Sequence, residues 1–167
     1  MNDRYLFRGK RLDNGEWVQG HYYNAPNYNV QEAKEVVSHY ILDFDLGTDC
    51  YDREKLFILS FEIEPGTIGQ CTGLKDKNGR LVFAGDVVRC TGKLEWRNET
   101  YDETYVNIDL YVYWNKEMLA FFATDDITKK CEGEPFSAVI RYLCKDGNIE
   151  IISNVHDNPS LLEGAGA

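Results

Sequence analysis

The residues best suited to chemistry in this sequence are carboxylates and histidines that stand apart from one another. Asp86 follows a glycine and could serve as a metal ligand or a general base. Either role requires a second carboxylate or a histidine close by, and the neighbouring sequence supplies neither. We therefore expect the Asp86 carboxylate to accept backbone N–H groups within a turn.

Three other candidate positions consist of adjacent residues: 102–103, 125–126 and His156-Asp157. Neighbours on a strand point to opposite faces, so 102–103 and 125–126 are not expected to form shared sites. His156-Asp157 could act as an acid–base pair, but the Asn158-Pro159 that follows is typical of a strand exit. We interpret the His156 segment as structural.

Five cysteines are too widely spaced to indicate a zinc site or a disulfide framework. Their number is odd, no CxxC pair occurs, and the three histidines adjoin none of them in sequence. Zinc ligands usually come in pairs a few residues apart, and unpaired cysteines are typical of a reducing compartment. We expect free thiols, no catalytic residue, no metal and no cofactor. The cysteines are Cys50, Cys71, Cys90, Cys131 and Cys144.

The glycine-rich stretch 66–79 could be mistaken for a phosphate-binding loop. It lacks the GxxxxGK[ST] pattern, and the residues around its end predict a hairpin, without the helix N-terminus that would receive a phosphate. Asn78-Gly79 is instead the dipeptide that favours a type I′ hairpin turn. The sequence does not support a nucleotide-hydrolysing enzyme.

Charge and hydropathy argue against two further classes of protein, nucleic-acid binders and membrane proteins. The formal net charge is −10 at pH 7, and the acidic excess extends over both halves of the chain. Nucleic-acid binding depends on clustered Lys and Arg, so the sequence argues against a dedicated DNA or RNA binder. Its apolar runs are too short to span a bilayer, and no secretory h-region is visible. We expect a cytoplasmic protein that does not contact a membrane.

The N-terminal part, residues 1–63, predicts a small subdomain and is a candidate oligomerisation element. Residues 4–23 have the pattern of a β-hairpin, with its turn at Asp13-Asn-Gly15 and Trp17 as its main anchor. The Asn and Pro content of 24–34 indicates a loop.

The segment 30–42 fits a helix and a strand equally well, and both alternatives stay open. Residues 55–63 predict a strand, which Glu64-Pro-Gly66 ends. We place a subdomain boundary at this break, so that a β-rich subdomain covers 64–163 and a flexible tail covers 164–167.

The cleanest alternation in the chain runs through 105–114. One face of this predicted strand is apolar and is expected to be core. The other face carries tyrosines, which could bind a partner or could only cover a half-exposed sheet. The predicted core positions are Val106, Ile108, Leu110, Val112 and Trp114, and the candidate interaction surface is Tyr105, Tyr111 and Tyr113.

Six stretches occur in a characteristic order and spacing: Phe7-Arg-Gly-Lys-Arg11, Asp13-Asn-Gly-Glu-Trp17, Ile63-Glu-Pro-Gly-Thr-Ile-Gly-Gln70, Thr72-Gly-Leu-Lys-Asp-Lys-Asn-Gly79, Phe83-Ala-Gly-Asp-Val-Val88 and Ile152-Ser-Asn-Val-His-Asp-Asn-Pro-Ser-Leu-Leu-Glu163. Together they closely resemble the YopX family of phage and prophage proteins. Cys71 and Ala84 depart from the family's pattern, which commonly has an aromatic residue at the first position and often glutamate at the second.

The resemblance implies a mainly β protein, α+β overall, with an SH3-like β-barrel in its C-terminal part and a smaller α+β portion before it. The resemblance also implies that the chain forms homo-oligomers. The family defines no catalytic residues, so none is carried over. Its signature positions are mostly of the types that fix turns and cores, and in this chain they are Trp17, Gly69, Gln70, Gly73, Asn78, Gly79, Gly85, Asp86, Asn158 and Pro159.

These observations favour a nonenzymatic, oligomeric interaction module that works in the host cytoplasm and binds a phage or host protein. One alternative is an acidic DNA mimic that inhibits a host nucleic-acid-binding factor. Another is single-stranded nucleic-acid binding on the tyrosine face of the barrel. An enzyme is the interpretation that the sequence supports least.

Overall fold

A computed structural model describes residues 3–29, 32, 34–48, 54–93, 105–124, 137–139 and 149–159. In these residues the backbone forms eleven β-strands in two antiparallel sheets, together with two short 3-10 helices. The 3-10 helices are Asp3–Tyr5 and Pro65–Thr67, and the strands are β1 (Phe7–Lys10), β2 (Trp17–Asn29), β3 (Lys34–Thr48), β4 (Glu54–Glu62), β5 (Gly69–Lys75), β6 (Leu81–Phe83), β7 (Asp86–Lys93), β8 (Tyr105–Asn115), β9 (Ala120–Thr124), β10 (Ser137–Val139) and β11 (Ile149–Asn154).

The mainly β prediction is confirmed, because the described residues contain strands and no α-helix. The helical share expected for the N-terminal part is therefore wrong for the residues that the structure describes. The ambiguous segment 30–42 is a strand from Lys34 onward. Its β-branched and aromatic side chains pair with β2, and such cross-strand pairs stabilise extended backbone.

The loop predicted for 24–34 is wrong at its start, because β2 continues to Asn29. Pro26 lies opposite Val37, in a part of β2 that pairs with β3 and not with β1. Proline is tolerated at such an edge, since its missing N–H can face the open side of the sheet. Pairing with β3 outweighs the local turn preference of the Asn and Pro residues.

Contacts divide the chain into two compact units, Met1–Cys71 and Thr72–Ala167, called unit 1 and unit 2 below. The first sheet has the strand order β4-β3-β2-β1-β5-β6. The hairpin predicted for 4–23 is confirmed by the antiparallel pairing of β1 with β2. Gly15 has φ +74 in the predicted turn, a conformation that glycine adopts without strain.

The described core of unit 1 centres on Ile41 and Ile63, which are 0% and 1% exposed. Gly9 of β1 lies directly against Ile63: a Cβ at this position would be 2.6 Å from Ile63 Cδ1. A side chain at residue 9 would therefore require the Ile63 side chain to shift.

The second sheet lies in unit 2 and has the strand order β10-β9-β8-β7-β11. Apolar side chains from β6, β7, β8, β9 and β11 form its buried cluster. The described strands of this sheet follow one another in a linear order, and no closed barrel is identified among them. The cluster consists of Val82, Val88, Cys90, Leu110, Val112, Ala123 and Ile149.

The alternation predicted for 105–114 is confirmed in part. Leu110 and Val112 are both 0% exposed, as expected for the core face of β8. Trp114 was predicted to share this core, which is wrong, because 44% of it is exposed. Trp114 lies near the end of β8, where its ring contacts Phe121 edge-on at a centroid distance of 4.9 Å.

Several predictions fall outside the described residues: the tail 164–167, the acidic pairs 102–103 and 125–126, and Cys50, Cys131 and Cys144. In the described residues no helix has the length and hydropathy needed to cross a membrane.

Candidate functional site

Asp86 is a buried carboxylate at the start of β7, and only 1% of the residue is exposed. The backbone N–H of Phe83 donates to Asp86 Oδ2 at 2.8 Å, and the Asn154 side-chain amide donates to Oδ1 at 3.4 Å. Asn154 is also the residue opposite Asp86 in the pairing of β7 with β11. The carboxylate therefore holds the turn between β6 and β7 against the end of β11.

Gly85 lies beside the His156 segment. The N–H of Val155 donates to the Gly85 carbonyl at 3.0 Å, and the N–H of His156 donates to Asn154 Oδ1 at 2.8 Å. Gly85 has φ +93, and a Cβ on it would lie 3.4 Å from both Asn154 Nδ2 and His156 Nε2. Two stretches far apart in sequence thus meet in one place, and we call Gly85, Asp86, Asn154 and His156 the Asp86 cluster.

The Asp86 cluster has the geometry of a structural contact. A general base must reach its substrate, whereas Asp86 is buried and accepts hydrogen bonds from the turn and from β11. In the described part of the chain, no three His, Cys, Asp or Glu side chains are placed to hold a metal ion. Burial raises the pKa of the Cys90 thiol, which keeps it protonated and poorly nucleophilic near neutral pH.

The turn predicted at Asn78-Gly79 is present, but its type is not I′. A type I′ turn needs positive φ at both central residues. Gly79 has φ +80, but Asn78 does not have positive φ, since Leu119 is the one non-glycine with positive φ among the described residues. Asp76 Oδ1 accepts the N–H groups of Asn78 and Arg80, both at 2.9 Å. These hydrogen bonds stabilise a turn in which the glycine alone of the two residues is left-handed.

The tyrosine face of β8 is partly covered by its own rings. Tyr111 and Tyr113 are half-buried and stacked, with centroids 6.0 Å apart and planes 3° from parallel. Tyr113 also contacts Phe122 of β9 at 6.2 Å. Burial raises the pKa of Tyr111, so its hydroxyl stays protonated. The side chain of Tyr105 lies outside the described residues, and its backbone pairs with Lys93.

The tyrosine face also carries an ion pair. Asp109 shares this face with Tyr111 because alternate strand residues point the same way. Arg89 binds Asp109 in a bidentate manner, with Nε–Oδ1 at 2.7 Å and Nη2–Oδ2 at 3.0 Å. The positive charge of Arg89 is therefore balanced by Asp109 at this surface.

A different surface, in unit 1, exposes large apolar side chains. Residues directly opposite in a sheet share a face, and the register places Tyr23 opposite Tyr40, His21 opposite Leu42, and Phe44 opposite Ile58. Tyr23 is 51% exposed, Phe44 44% and Ile58 59%. Ring contacts join His21 to Phe44 at 5.3 Å and Tyr23 to Tyr40 at 6.5 Å. We call these six residues the apolar face.

Trp17, the predicted anchor of the hairpin, lies on β2, the strand that also carries His21 and Tyr23. Trp17 begins β2 opposite Lys10 and is half-buried. The Arg8 guanidinium carbon lies 4.8 Å from the Trp17 ring centroid, and Lys10 Nζ lies 5.5 Å from it. These cation–π contacts place the hairpin's basic residues over an aromatic ring.

Comparison with known protein families matches residues 6–163 to the family described as YopX protein. The chain belongs to the YopX family. The resemblance identified from the sequence is thereby confirmed over nearly the whole chain.

Among solved structures, the crystal structure of protein EF1440 from Enterococcus faecalis is similar to this YopX chain. The identity is 20% and the TM-score 0.46, and the similarity covers 93% of this chain and 96% of that one. Comparison with curated proteins finds no match.

The YopX signature positions have turn and pairing roles in this structure. Gly69 and Gln70 pair with Arg8 and Phe7 of β1. Gly73 has φ +79 within β5. The Asn158 amide donates to Ser153 Oγ at 2.6 Å, immediately before Pro159.

Sequence reasoning missed the apolar face of this YopX protein. Its signal was present as alternation in Tyr40-Ile-Leu-Asp-Phe44 and in His21-Tyr-Tyr23. The loop prediction for 24–34 hid that signal, because it separated two segments that the structure pairs residue by residue.

Proposed function

We propose that this YopX-family member is a nonenzymatic, oligomeric interaction module that binds protein surfaces through its apolar face. The observation that carries the proposal is the exposure of Tyr23, Phe44 and Ile58 on one face of three neighbouring strands. Contiguous exposed apolar surface on a folded protein marks an interaction site. Aromatic residues such as Tyr and Phe are enriched in protein interfaces.

The apolar face supplies part of the free energy of association. Covering a large apolar side chain contributes about 1.5–3 kcal/mol when it becomes fully buried. Tyr23, Phe44 and Ile58 are each about half exposed. Covering all three would contribute several kcal/mol, before the cost of association is subtracted. Tyr and His also bring polar atoms to the rim, as interfaces commonly do.

The nonenzymatic part of the proposal is supported by the state of the described candidates. Asp86 is engaged with Phe83 and Asn154, and the Cys90 thiol has a raised pKa. Each of these two groups has a structural explanation in the described residues.

We further propose a protein, from phage or host, as the partner in the host cytoplasm. The resemblance to phage and prophage proteins and the net charge of −10 support this choice over a nucleic acid. The Arg89–Asp109 ion pair on the tyrosine face supports it as well, because single-stranded nucleic acids bind where aromatic rings lie beside unbalanced positive charge.

The SH3-like barrel is also a proposal for unit 2. The antiparallel order β9-β8-β7-β11 and the tight Gly85-Asp86 turn into β7 support it. Small barrels of this kind are closed or nearly closed antiparallel sheets.

Size-exclusion chromatography with light scattering tests the proposed function. The double variant Tyr23→Ser/Phe44→Ser removes two exposed rings. It should weaken association and raise the dissociation constant by at least tenfold. Met118→Ser is the matched control, because Met118 is 66% exposed and belongs to unit 2.

The control should associate as the wild type does. A wild-type chain that stays monomeric at high concentration, and that retains no protein from host lysate, would overturn the proposed function.

A further inference from the structure

The dipeptide Asn-Gly occurs twice in the sequence, at 14–15 and at 78–79, and both copies are exposed. An asparagine followed by glycine can lose its side-chain amide spontaneously. The glycine nitrogen attacks the asparagine Cγ, and glycine has no Cβ that would hinder this approach. The same chemistry is therefore present in two different surroundings, and the surroundings decide which asparagine reacts faster.

The side-chain amide of Asn14 contacts Glu16 through both of its polar atoms. Asn14 Nδ2 donates to Glu16 Oε2 at 2.8 Å, and the backbone N–H of Glu16 donates to Asn14 Oδ1 at 3.0 Å. Negative charge develops on Oδ1 when Cγ is attacked, and an N–H that already points at this oxygen stabilises it. Positive charge develops on Nδ2 as it leaves, and the Glu16 carboxylate stabilises that charge.

The turn around Asn14 is held by exposed groups. Residues 12–16 are all exposed, and the hydrogen bond from Arg11 Nε to Asp13 Oδ1 beside them is exposed as well. Local opening is easiest where few groups are buried and the hydrogen bonds face solvent. A Cβ at Gly15 would meet nothing within 4 Å, so the backbone has room to move as the ring closes.

The turn around Asn78 is held by a buried carboxylate. Asp76 Oδ1 accepts the N–H groups of Asn78 and Arg80, both at 2.9 Å, and the Asp76 side chain is 0% exposed. The glycine nitrogen lies between these two N–H groups, so its movement toward Cγ requires the hydrogen bonds to Asp76 to break. The N–H groups of the two glycines do not distinguish the turns, because they donate to the Arg11 and Asp76 carbonyls at 3.0 and 2.9 Å.

We propose that Asn14 is a site of spontaneous deamidation and that the fold makes it react faster than Asn78. The Gly15 nitrogen loses its proton and bonds to Asn14 Cγ, the Cγ–Nδ2 bond breaks, and Nδ2 leaves as ammonia with that proton. Water then opens the cyclic imide at either carbonyl, which gives aspartate or isoaspartate at position 14. This modification is independent of the proposed function.

Deamidation changes the turn of the β1–β2 hairpin. A carboxylate at position 14 adds a negative charge between Asp13 and Glu16, and it removes the donor that binds Glu16 Oε2. Isoaspartate also lengthens the backbone of the turn, which disturbs the register in which Lys10 lies opposite Trp17. The modified chain is therefore expected to have a weaker hairpin.

Peptide mapping by mass spectrometry tests the proposal, after the full chain has been incubated in mildly alkaline buffer. A matched sample unfolded in urea gives the ratio of the two deamidation rates that the local sequences alone produce. We expect the rate ratio of Asn14 to Asn78 to be about tenfold higher in the folded chain than in urea. A ratio that is no higher in the folded chain, or a folded chain that never converts Asn14, would overturn the proposal.

Two variants test the contacts separately. Glu16→Gln keeps the backbone N–H on Asn14 Oδ1 and removes the charge beside Nδ2, so it should slow deamidation of Asn14 several-fold and leave Asn78 unchanged. Asp76→Asn removes the buried carboxylate and should accelerate Asn78 alone. An unchanged rate at Asn14 in Glu16→Gln would overturn the role of Glu16, and an unchanged rate at Asn78 in Asp76→Asn would overturn protection by the buried carboxylate.

Discussion

Arg80 donates two hydrogen bonds to one oxygen of Asp76: Nε and Nη2 lie 2.9 and 2.7 Å from Asp76 Oδ2. The same oxygen accepts the N–H of Ile151 at 3.3 Å, and Arg80 Nη2 donates to the Ile151 carbonyl at 2.7 Å. The pair therefore fixes the turn between β5 and β6 onto β11. Burial alone would raise the pKa of Asp76, but the hydrogen bonds from Arg80, Ile151 and Asn78 outweigh it and lower the pKa to about 2.

Acid should remove the contribution of Asp76 to stability. Its folded pKa of about 2 lies below the ordinary value of 3.8, so the ionised carboxylate stabilises the fold above that value. This contribution, about 2 kcal/mol, is lost as the pH falls through the folded pKa. Urea unfolding at about pH 6 and about pH 2 should show a larger loss in wild type than in Asp76→Asn.

Glu150, a carboxylate on β11, provides the control for this measurement. Glu150 is partly exposed and pairs with Lys77 at 2.7 Å, and the hydrogen bond from Lys77 lowers its pKa. Glu150→Gln should follow the wild-type dependence on pH more closely than Asp76→Asn does, because solvent screens a partly exposed ion pair and its contribution is small. Equal losses in wild type and Asp76→Asn would contradict the account of the turn.

Alanine at residue 85 should destabilise the fold by about 1–3 kcal/mol. Gly85 has φ +93, where a side chain is strained, and a Cβ would be in van der Waals contact with Asn154 and His156 at 3.4 Å. Gly66→Ala is the control, since a Cβ there meets nothing within 4 Å and its φ is not positive. Thermal unfolding of the two variants makes the comparison, and equal midpoints would show that the Asp86 cluster does not depend on Gly85.

Glycine at residue 119 should stabilise the fold. Leu119 has φ +49 in the turn between β8 and β9, and it is 74% exposed, so its side chain contributes little packing. Leu119→Gly should raise the free energy of unfolding by about 0.5–1 kcal/mol, because glycine adopts positive φ without a steric penalty. Met118 does not have positive φ, so Met118→Gly relieves no strain and should lower the free energy of unfolding. The idea fails if chemical denaturation shows Leu119→Gly to be the less stable of the two.

Labelled single-stranded oligonucleotides should not bind the tyrosine face. Tyr111 and Tyr113 stack on each other, and the neighbouring Arg89 is paired with Asp109. Fluorescence anisotropy at low salt should stay unchanged as protein is added, because base stacking needs accessible rings beside unbalanced positive charge. An increase that Tyr111→Ala abolishes would restore nucleic-acid binding as a function.

Local patterns allowed the β1–β2 hairpin, the strand at 55–63 and the buried face of β8 to be predicted from sequence. Turn dipeptides and strict alternation are local signals, and they are visible without knowledge of the partner strand. The type of the Asn78-Gly79 turn was not predictable from the dipeptide. It depends on the Asp76 carboxylate, which accepts from Asn78, Arg80 and a strand far along the chain.

The candidate surface was harder to predict than the fold. Whether Tyr23 and Phe44 share a face depends on the register between β2 and β3, which is a property of long-range pairing. The tyrosines of β8 looked like the better surface in sequence, since their alternation is uninterrupted. In the structure Tyr111 and Tyr113 cover each other, while the rings of Tyr23 and Phe44 are left exposed.

Hydroxyl-radical footprinting over a range of protein concentrations tests the central claim most directly. The account predicts that oxidation of Tyr23 and Phe44 slows as concentration rises, because association covers the apolar face. Met118, 66% exposed in unit 2, should react at the same rate throughout. Rates at Tyr23 and Phe44 that stay constant, in a chain shown to associate, would place the contact elsewhere and contradict the account.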